Sequence, residues 1–279
     1  LVTTRMGAEV GFVFLWGVII ASLVKFFIQL ELGRQCILHD DTTIDALDRM
    51  PGPRWGGTSW LAWICVIGYF SVFLALIGIL GSVAGLVHSV APFLGYRMWA
   101  VVVLVLMSLL LWRGLYEDLE KMVTILVAAF SVIVIGSLLV LQGTDYAIRA
   151  TDLVSGFGFA LPADGAFVAL AVMGSVGATG VELFMYPYWV REKGYPRFVG
   201  RDDGSDGWRR RYRGWMRVLM MDAGVCTAIA LVITCAYYLL GASVLSRLNV
   251  IPQGPAIVDQ VSLIFTETLG PAWKGLFMV

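Results

Sequence analysis

The sequence predicts an all-α polytopic membrane protein, because of its composition and its repeated long apolar runs. The chain has 279 residues, of which 59% are hydrophobic and 14% are charged, and its mean hydropathy is +0.82. A soluble domain could not bury so many apolar side chains, whereas lipid accepts them. The runs are continuous and lack the alternating hydrophobicity of membrane β-barrel strands, so we expect helices.

Six apolar runs are each close to the ~20 residues with which a helix crosses the hydrocarbon core. They cover residues 12–30, 61–87, 98–112, 122–141, 166–190 and 218–240. A seventh run begins near Ala272, and the chain starts at Leu1 rather than at a methionine. We therefore expect six complete transmembrane helices plus the start of a seventh. They would form a single transmembrane domain over residues 1–279 that is truncated at both ends.

The Lys and Arg residues of the loops predict the orientation. Fourteen of them lie in the loops at about 31–60, 113–121 and 191–217, and four lie in the loops on the other side. The positive-inside rule therefore places these three loops in the cytoplasm. The formal net charge is zero, which indicates no nucleic-acid partner. We expect an integral protein of a bacterial inner (plasma) membrane, in contact with the lipid bilayer; the sequence indicates no particular oligomeric state.

A short capped helix is predicted in the first of these loops. In residues 39–48, Asp41 or Thr42 takes the N-cap position and acidic residues fill the first turn. Acids beside His39 also suit a metal ion, but helix capping accounts for them more simply.

The fifth apolar run contains a predicted break. Residues 174–180 hold three glycines, each of which destabilises a helix by ~1 kcal/mol relative to alanine. Thr179-Gly180-Val181-Glu182 fits the capping box that marks a helix start. Non-helical backbone within the membrane is tolerated where it lines a cavity or is buried in protein. Many secondary transporters build their substrate sites from such interrupted helices.

The predicted break supplies groups that bind cations. In the orientation above, the outer half-helix ends near Gly177 and Ala178 with free carbonyl groups, and the inner half begins near Thr179. Glu182 has two interpretations. Either it only completes the capping box, or its charge faces the cavity and attracts a cation, because carboxylates within membranes are usually functional. The residues leave both interpretations open.

Two further charges lie within apolar runs. Lys25 is near the end of its run, so we expect its ammonium to reach the membrane interface. Asp222 is expected in the first turn of its helix, where it would interact with the helix dipole.

The break and several other motifs resemble the natural resistance-associated macrophage protein (Nramp) family. Gly177-Ala178-Thr179 followed by a helix restart resembles the sixth helix of that family. Similar motifs of helices two to seven are Phe14-Leu15-Trp16, Gln29 with Leu32-Gly33, Gly81-Ser82, Glu117-Asp118-Leu119-Glu120-Lys121 and Asp222. The resemblance implies a LeuT-type transporter fold, in which helices one and six are broken around a divalent-metal site.

The sequence departs from the family pattern at that site. The family's Asp-Pro-Gly-Asn motif of helix one would precede Leu1. Val181 stands where the family has its methionine ligand, and Leu183 where it has a histidine. Thioether sulfur favours softer metals, so its loss favours a harder or more hydrated cation. Ala75 and Gly78 stand where the family has the acids of its proton path, which argues against proton coupling.

We therefore expect a divergent, Nramp-related secondary-active transporter of divalent cations of the Mn, Fe or Mg class, which works by alternating access and needs no cofactor. The Ala178 carbonyl is the expected direct ligand, and Glu182 a ligand or an outer-sphere charge. Val181 would line the metal site, while Gly177, Thr179 and Gly180 would keep its backbone open.

Three other functions are alternatives to metal transport. A LeuT-type transporter of amino acids or another small organic solute would bind the substrate carboxylate at the N-terminus of the inner half-helix. A membrane enzyme is not expected, because the sequence contains neither H-E-x-x-H nor G-x-S-x-G. A scaffold or receptor subunit would leave the break in the helix without a purpose.

Overall fold

A computed structural model describes residues 2–112, 116–161, 166–176, 180–252 and 257–270, which are almost entirely helical. The helices are α1 (Val2–Val10), α2 (Leu15–His39), α3 (Thr43–Asp48), α4 (Trp60–Val90), α5 (Tyr96–Trp112), α6 (Tyr116–Leu141), α7 (Ala150–Gly156), α8 (Ala166–Ser175), α9 (Gly180–Glu192), α10 (Tyr195–Val199), α11 (Asp206–Leu240), a π-helix (Gly241–Leu245) and α12 (Ile257–Leu269). A two-residue antiparallel hairpin pairs β1 (Arg54–Trp55) with β2 (Thr58–Ser59).

Four of the described helices are long and apolar enough to cross a membrane. They are α2, α4, the Lys121–Leu141 part of α6, and α11 together with the π-helix. Helix α5 is apolar but shorter. Phe70, Leu74 and Ile77 of α4 are 64% to 72% exposed, as expected of side chains that face lipid tails rather than water. The chain is an all-α polytopic membrane protein.

The helices differ from the predicted runs in several places. Helices α1, α7, α10 and α12 are absent from the predicted set. Helix α11 begins at Asp206 rather than near residue 218, so Asp222 lies inside it and the first-turn interpretation of this residue is wrong. The seventh run predicted near Ala272 lies outside the described residues.

The chain divides into two compact units. Unit 1 contains Leu1–Gly17, Leu74–Val172 and Ile233–Val279, and unit 2 contains Val18–Phe73 and Met173–Val232.

Unit 1 contains a very close approach of α1 to the end of α11 and the π-helix. A Cβ atom added to Gly7 would lie 2.2 Å from the carbonyl oxygen of Tyr238, and one added to Gly241 would lie 2.1 Å from that of Thr4. Only glycine allows two helix backbones to come this near. The buried apolar core of the unit is formed by Ala8, Val134, Leu141, Ala236, Leu240, Val244, Leu245, Val261, Ile264 and Phe265.

The turn between α1 and α2 is held by the Tyr238 hydroxyl. Helix α1 ends at Val10 and is followed by a left-handed residue, Gly11, whose φ is +61° and whose N–H donates to the carbonyl of Gly7 over 2.9 Å. The Tyr238 hydroxyl accepts from the N–H of Phe14 at 3.1 Å and donates to the carbonyl of Gly11 at 2.6 Å. One buried side chain thus satisfies two backbone groups that no helix satisfies.

In unit 2, helix α2 packs closely on α9 and α11. A Cβ atom on Gly33 would lie 2.9 Å from the Leu219 side chain and 3.0 Å from that of Tyr186. The buried core of the unit is formed by Cys36, Ile37, Tyr186, Val190, Tyr195, Val199, Trp208, Leu219 and Ala223.

The predicted capped helix is confirmed as α3, and it docks on α9. Thr42 is the N-cap and forms a capping box with Asp45, so the hydrogen bonds donated by Thr42 lower the pKa of the Asp45 carboxyl. The Thr43 hydroxyl donates to the carbonyl of Phe184 at 2.7 Å. Phe184 lies about one turn before Pro187, which lacks an N–H group and so interrupts the hydrogen bonds of α9.

Candidate functional site: the interrupted helix

The predicted break in the fifth run is confirmed at the end of α8. Helix α8 ends at Ser175, Val176 forms a bend, and α9 begins at Gly180. Three predicted site residues, namely Gly177, Ala178 and Thr179, lie outside the described residues. Gly180 is the first described residue of α9, and the capping-box pattern predicts that the helix restarts near this position.

Lys25 of α2 binds the end of α8. Its ammonium donates to the carbonyl oxygen of Gly174 at 2.9 Å and also to that of Val176. The last carbonyl groups of a helix lack helical partners and carry partial negative charge, so they attract a cation. The expectation that Lys25 reaches the membrane interface is wrong, because the carbonyl groups at the break are nearer partners for its ammonium.

Glu182 lies in the first turn of α9, where the helix dipole favours a carboxylate. Its side chain is exposed, and its charge and that of the half-buried Lys25 attract each other. The break therefore brings together backbone oxygens, an ammonium and a carboxylate within unit 2. Thr179, the other half of the predicted capping box, lies outside the described residues.

Two other positions of the predicted site lie in α9. Val181 belongs to the helix, but its side chain is outside the described part of the structure. Leu183 is buried, with 6% of its surface exposed, and it is an apolar residue without a donor atom for a metal. At the position of the family's histidine, this chain therefore has a packing residue.

A cavity of about 180 Å³ lies beside Lys25, between α2 and α11. Its polar lining includes Ser22 and Gln29 of α2 and Thr227 of α11, and its apolar lining includes Phe26. The space is enough for several water molecules, and its polar groups are partners that such water requires. Lys25 thus faces the break on one side and, on the other, a cavity whose largely apolar lining includes three polar side chains.

A larger cavity, of about 440 Å³, lies between α2 and α3. Glu31, His39, Asp41 and Arg49 are among its lining residues, and Arg49 pairs with Asp41. Within the described ranges, no group of three or more His, Cys, Asp or Glu side chains is placed to hold a metal ion.

Sequence reasoning assigned Lys25 no place in the site. The signal that marks it is a basic side chain within an apolar run, since ionisable residues at membrane depth usually face a partner or a cavity. Asp222 gives the same signal, and it pairs with Lys193 at 3.4 Å rather than with a group at the break.

Comparison with protein families matches residues 2–279 to the family described as "Natural resistance-associated macrophage protein-like". No curated protein matches the chain. Members of this family are integral membrane transporters of divalent metal ions and have a LeuT-like fold, which agrees with the long apolar helices and with the interruption between α8 and α9. Because the match covers almost every residue, the chain belongs to the natural resistance-associated macrophage protein (Nramp) family.

Proposed function

We propose that this chain carries a divalent cation of the Mn, Fe or Mg class across a membrane by alternating access. The observation that carries the proposal is the interruption between Ser175 and Gly180, within an apolar run of a member of a metal-transporting family. An interrupted helix presents unpaired carbonyl oxygens, which are the ligands that hard cations prefer. The cation is the substrate of the protein, and the proposal needs no cofactor.

The proposed site follows the predicted residues 177–182. The Ala178 carbonyl is a direct ligand, and Glu182 contributes charge as a ligand or through a water molecule. Gly177, Thr179 and Gly180 keep the backbone open, and Val181 lines the site. Glu182 lies in the first turn of α9 and attracts Lys25, which supports its role as a negative charge that attracts the transported cation.

The chemistry of the site favours a harder cation than iron. Val181 and Leu183 supply no sulfur or nitrogen ligand, so oxygen atoms and bound water remain, which suit Mg²⁺ and Mn²⁺. Ala75 and Gly78 carry no ionisable group at the positions of the family's proton path. We therefore propose that transport does not depend on a proton gradient.

We also propose that residues 1–279 act as one transport domain in a bacterial inner membrane, with the loops at about 31–60, 113–121 and 191–217 in the cytoplasm. Arg191, at the start of the third loop, pairs with Asp40 of the first at 3.0 Å. That contact supports placing both loops on the same side of the membrane. A cysteine at Arg201 should react with an impermeant maleimide in inside-out vesicles only; reaction in right-side-out vesicles would reject this orientation.

The alternative substrate is an amino acid or another small organic solute. The observation in its favour is the Lys25 ammonium, because an ammonium beside a helix break can bind a substrate carboxylate. Against it, that ammonium already binds two carbonyl groups and attracts Glu182, which leaves little positive charge for an anion.

Uptake into proteoliposomes tests the proposal. The full-length protein is reconstituted, and uptake of Mn²⁺, of Mg²⁺ and of a mixture of radiolabelled amino acids is compared with that of empty liposomes. We expect uptake of at least one of the two metal ions, with or without a proton gradient, and no uptake of amino acids. Uptake of an amino acid without uptake of either metal would replace the proposal with the alternative.

A further inference from the structure

We infer that the Lys25 ammonium is a built-in competitor of the transported cation, which occupies the carbonyl end of α8 and must leave it when a metal ion binds. The inference rests on the proposed function, since it concerns the same break. It adds a residue that sets the affinity of the site for its substrate.

The contacts of Lys25 are those of a bound cation. A lysine ammonium has three N–H donors and no acceptor. Two of them reach the carbonyl oxygens of Gly174 and Val176, and the charge of Glu182 attracts the same group. Carbonyl and carboxylate oxygens are also the ligands of Mg²⁺ and Mn²⁺. The ammonium thus uses the kind of oxygen atoms that the substrate needs.

A metal ion and the ammonium cannot both occupy this end of α8. The ammonium and an ion held at Ala178 and Glu182 would both be positive and close together, so they repel each other, and the repulsion is strong where little water screens it. A divalent ion is attracted to Glu182 and to nearby carbonyl oxygens more strongly than a single charge is. Binding of the substrate therefore displaces Lys25 from Gly174 and Val176.

The structure provides a place for the displaced side chain. The cavity of about 180 Å³ beside Lys25 contains the polar side chains of Ser22, Gln29 and Thr227. The lysine stem has four rotatable bonds, so its head can turn from the carbonyl groups into this cavity without movement of α2. In that position its N–H groups meet side-chain oxygens and water.

This exchange lowers the apparent affinity for the metal ion. If Lys25 occupies the site most of the time, only the remaining fraction of the protein can bind the metal ion. The apparent dissociation constant of the ion is then the intrinsic constant divided by that fraction. A transporter must also release its substrate, and a tethered cation that returns to the same oxygens helps to expel the ion.

Equilibrium binding of Mn²⁺ to the purified full-length protein tests the inference. The variants are Lys25→Met, which removes the charge, Lys25→Gln, which keeps N–H donors for the carbonyl groups, and Lys25→Arg, which keeps the charge. Lys193→Met is the matched control, because Lys193 pairs with Asp222 and not with the break. We expect Lys25→Met and Lys25→Gln to bind Mn²⁺ at least about tenfold more tightly than the unmodified protein does. The reason is that neither side chain forms the charged hydrogen bonds with which the Lys25 ammonium competes for the site. Lys25→Arg and Lys193→Met should bind as the unmodified protein does.

The Tm is a second measurement, and it also shows whether Lys25→Met is folded. Saturating Mn²⁺ should raise the Tm of the charge-removing variants more than that of the unmodified protein, because it binds the folded state more tightly in them. Unchanged or weaker Mn²⁺ binding by Lys25→Gln would overturn the role of Lys25 while leaving the proposed function standing. Failure of every form of the protein to bind Mn²⁺ would overturn the proposed function and this inference together.

Discussion

The ammonium of Lys25 and the carbonyl oxygen of Gly174 lie 2.9 Å apart, although the two residues are separated by 149 positions in the sequence. This hydrogen bond connects α2 to the end of α8. The interruption of the helix is therefore not only a consequence of local glycines. A side chain from a distant segment satisfies the carbonyl groups that the interruption leaves unpaired.

Replacement of Glu182 by glutamine should reduce metal uptake. The substitution keeps the size of the side chain but removes the charge that attracts a cation at the break. We expect Mn²⁺ uptake at a subsaturating concentration to fall about tenfold, which corresponds to ~1.4 kcal/mol of lost interaction. The matched control is Glu192→Gln at the other end of α9, which should transport normally. Equal uptake by both variants would limit Glu182 to helix capping.

A leucine at Gly180 should block the site without disturbing the fold. A Cβ atom built on Gly180 meets no described atom within 4 Å, so the new side chain enters open space beside the break. We expect normal expression and a Tm close to that of the unmodified protein, but Mn²⁺ uptake near the level of empty liposomes. Gly136→Leu in α6 is the control, because its Cβ atom also meets no described atom within 4 Å. Normal uptake by Gly180→Leu would place the cation path elsewhere.

Loss of the Tyr238 hydroxyl should destabilise the turn between α1 and α2. In Tyr238→Phe, the N–H of Phe14 and the carbonyl of Gly11 lose their shared partner, which costs about 1–3 kcal/mol when the groups are buried. The measurement is the free energy of unfolding in detergent. Tyr237→Phe is the control, since the described residues offer the Tyr237 hydroxyl no hydrogen bond. Equal stability of the two variants would show that water replaces the tyrosine at this turn.

The stability of α3 should fall in acid because of Asp45. Thr42 holds the pKa of Asp45 below its ordinary value of 3.8, so the ionised carboxylate stabilises the folded helix. This contribution is complete above pH 3.8 and is lost as the pH falls through the lower pKa of the folded state. Hydrogen exchange of residues 43–48 measures it. At neutral pH, Asp45→Asn should lose protection equivalent to ~1 kcal/mol, and Thr42→Ser should lose little.

The difference between Asp45→Asn and the unmodified protein should disappear in strong acid. There the native carboxyl group is itself protonated and resembles the amide in charge. A difference that stays constant down to that pH would mean that hydrogen bonding, rather than ionisation, accounts for the role of Asp45 in α3.

The features that local chemistry determines were predictable from the sequence. An N-cap residue at Asp41 or Thr42 and the acids of the first turn predict α3, because helix capping depends only on residues within one turn. The glycines at 174–180 predict the interruption because each one weakens a helix wherever it lies. The continuous apolar runs predict the fold class, since few other structures can accommodate them.

The features that depend on distant contacts were not predictable. Helix α1 is short and carries Arg5 and Glu9, so it does not register as an apolar run; its close packing on Gly241 defines its place. The sequence predicts that Lys25 extends to the membrane surface, because it does not show that the end of α8 lies beside this side chain. Tyr238 gives no sequence signal for the turn at Gly11, because the two residues are 227 positions apart.

The most direct test of the central claim is to locate the bound metal ion. A structure of the full-length protein with Mn²⁺, examined by anomalous scattering, should show the ion between Ser175 and Gly180, with the Lys25 ammonium displaced from Gly174. Absence of an anomalous peak at the break, with the ion instead in the cavity lined by Glu31, His39 and Asp41, would contradict the account.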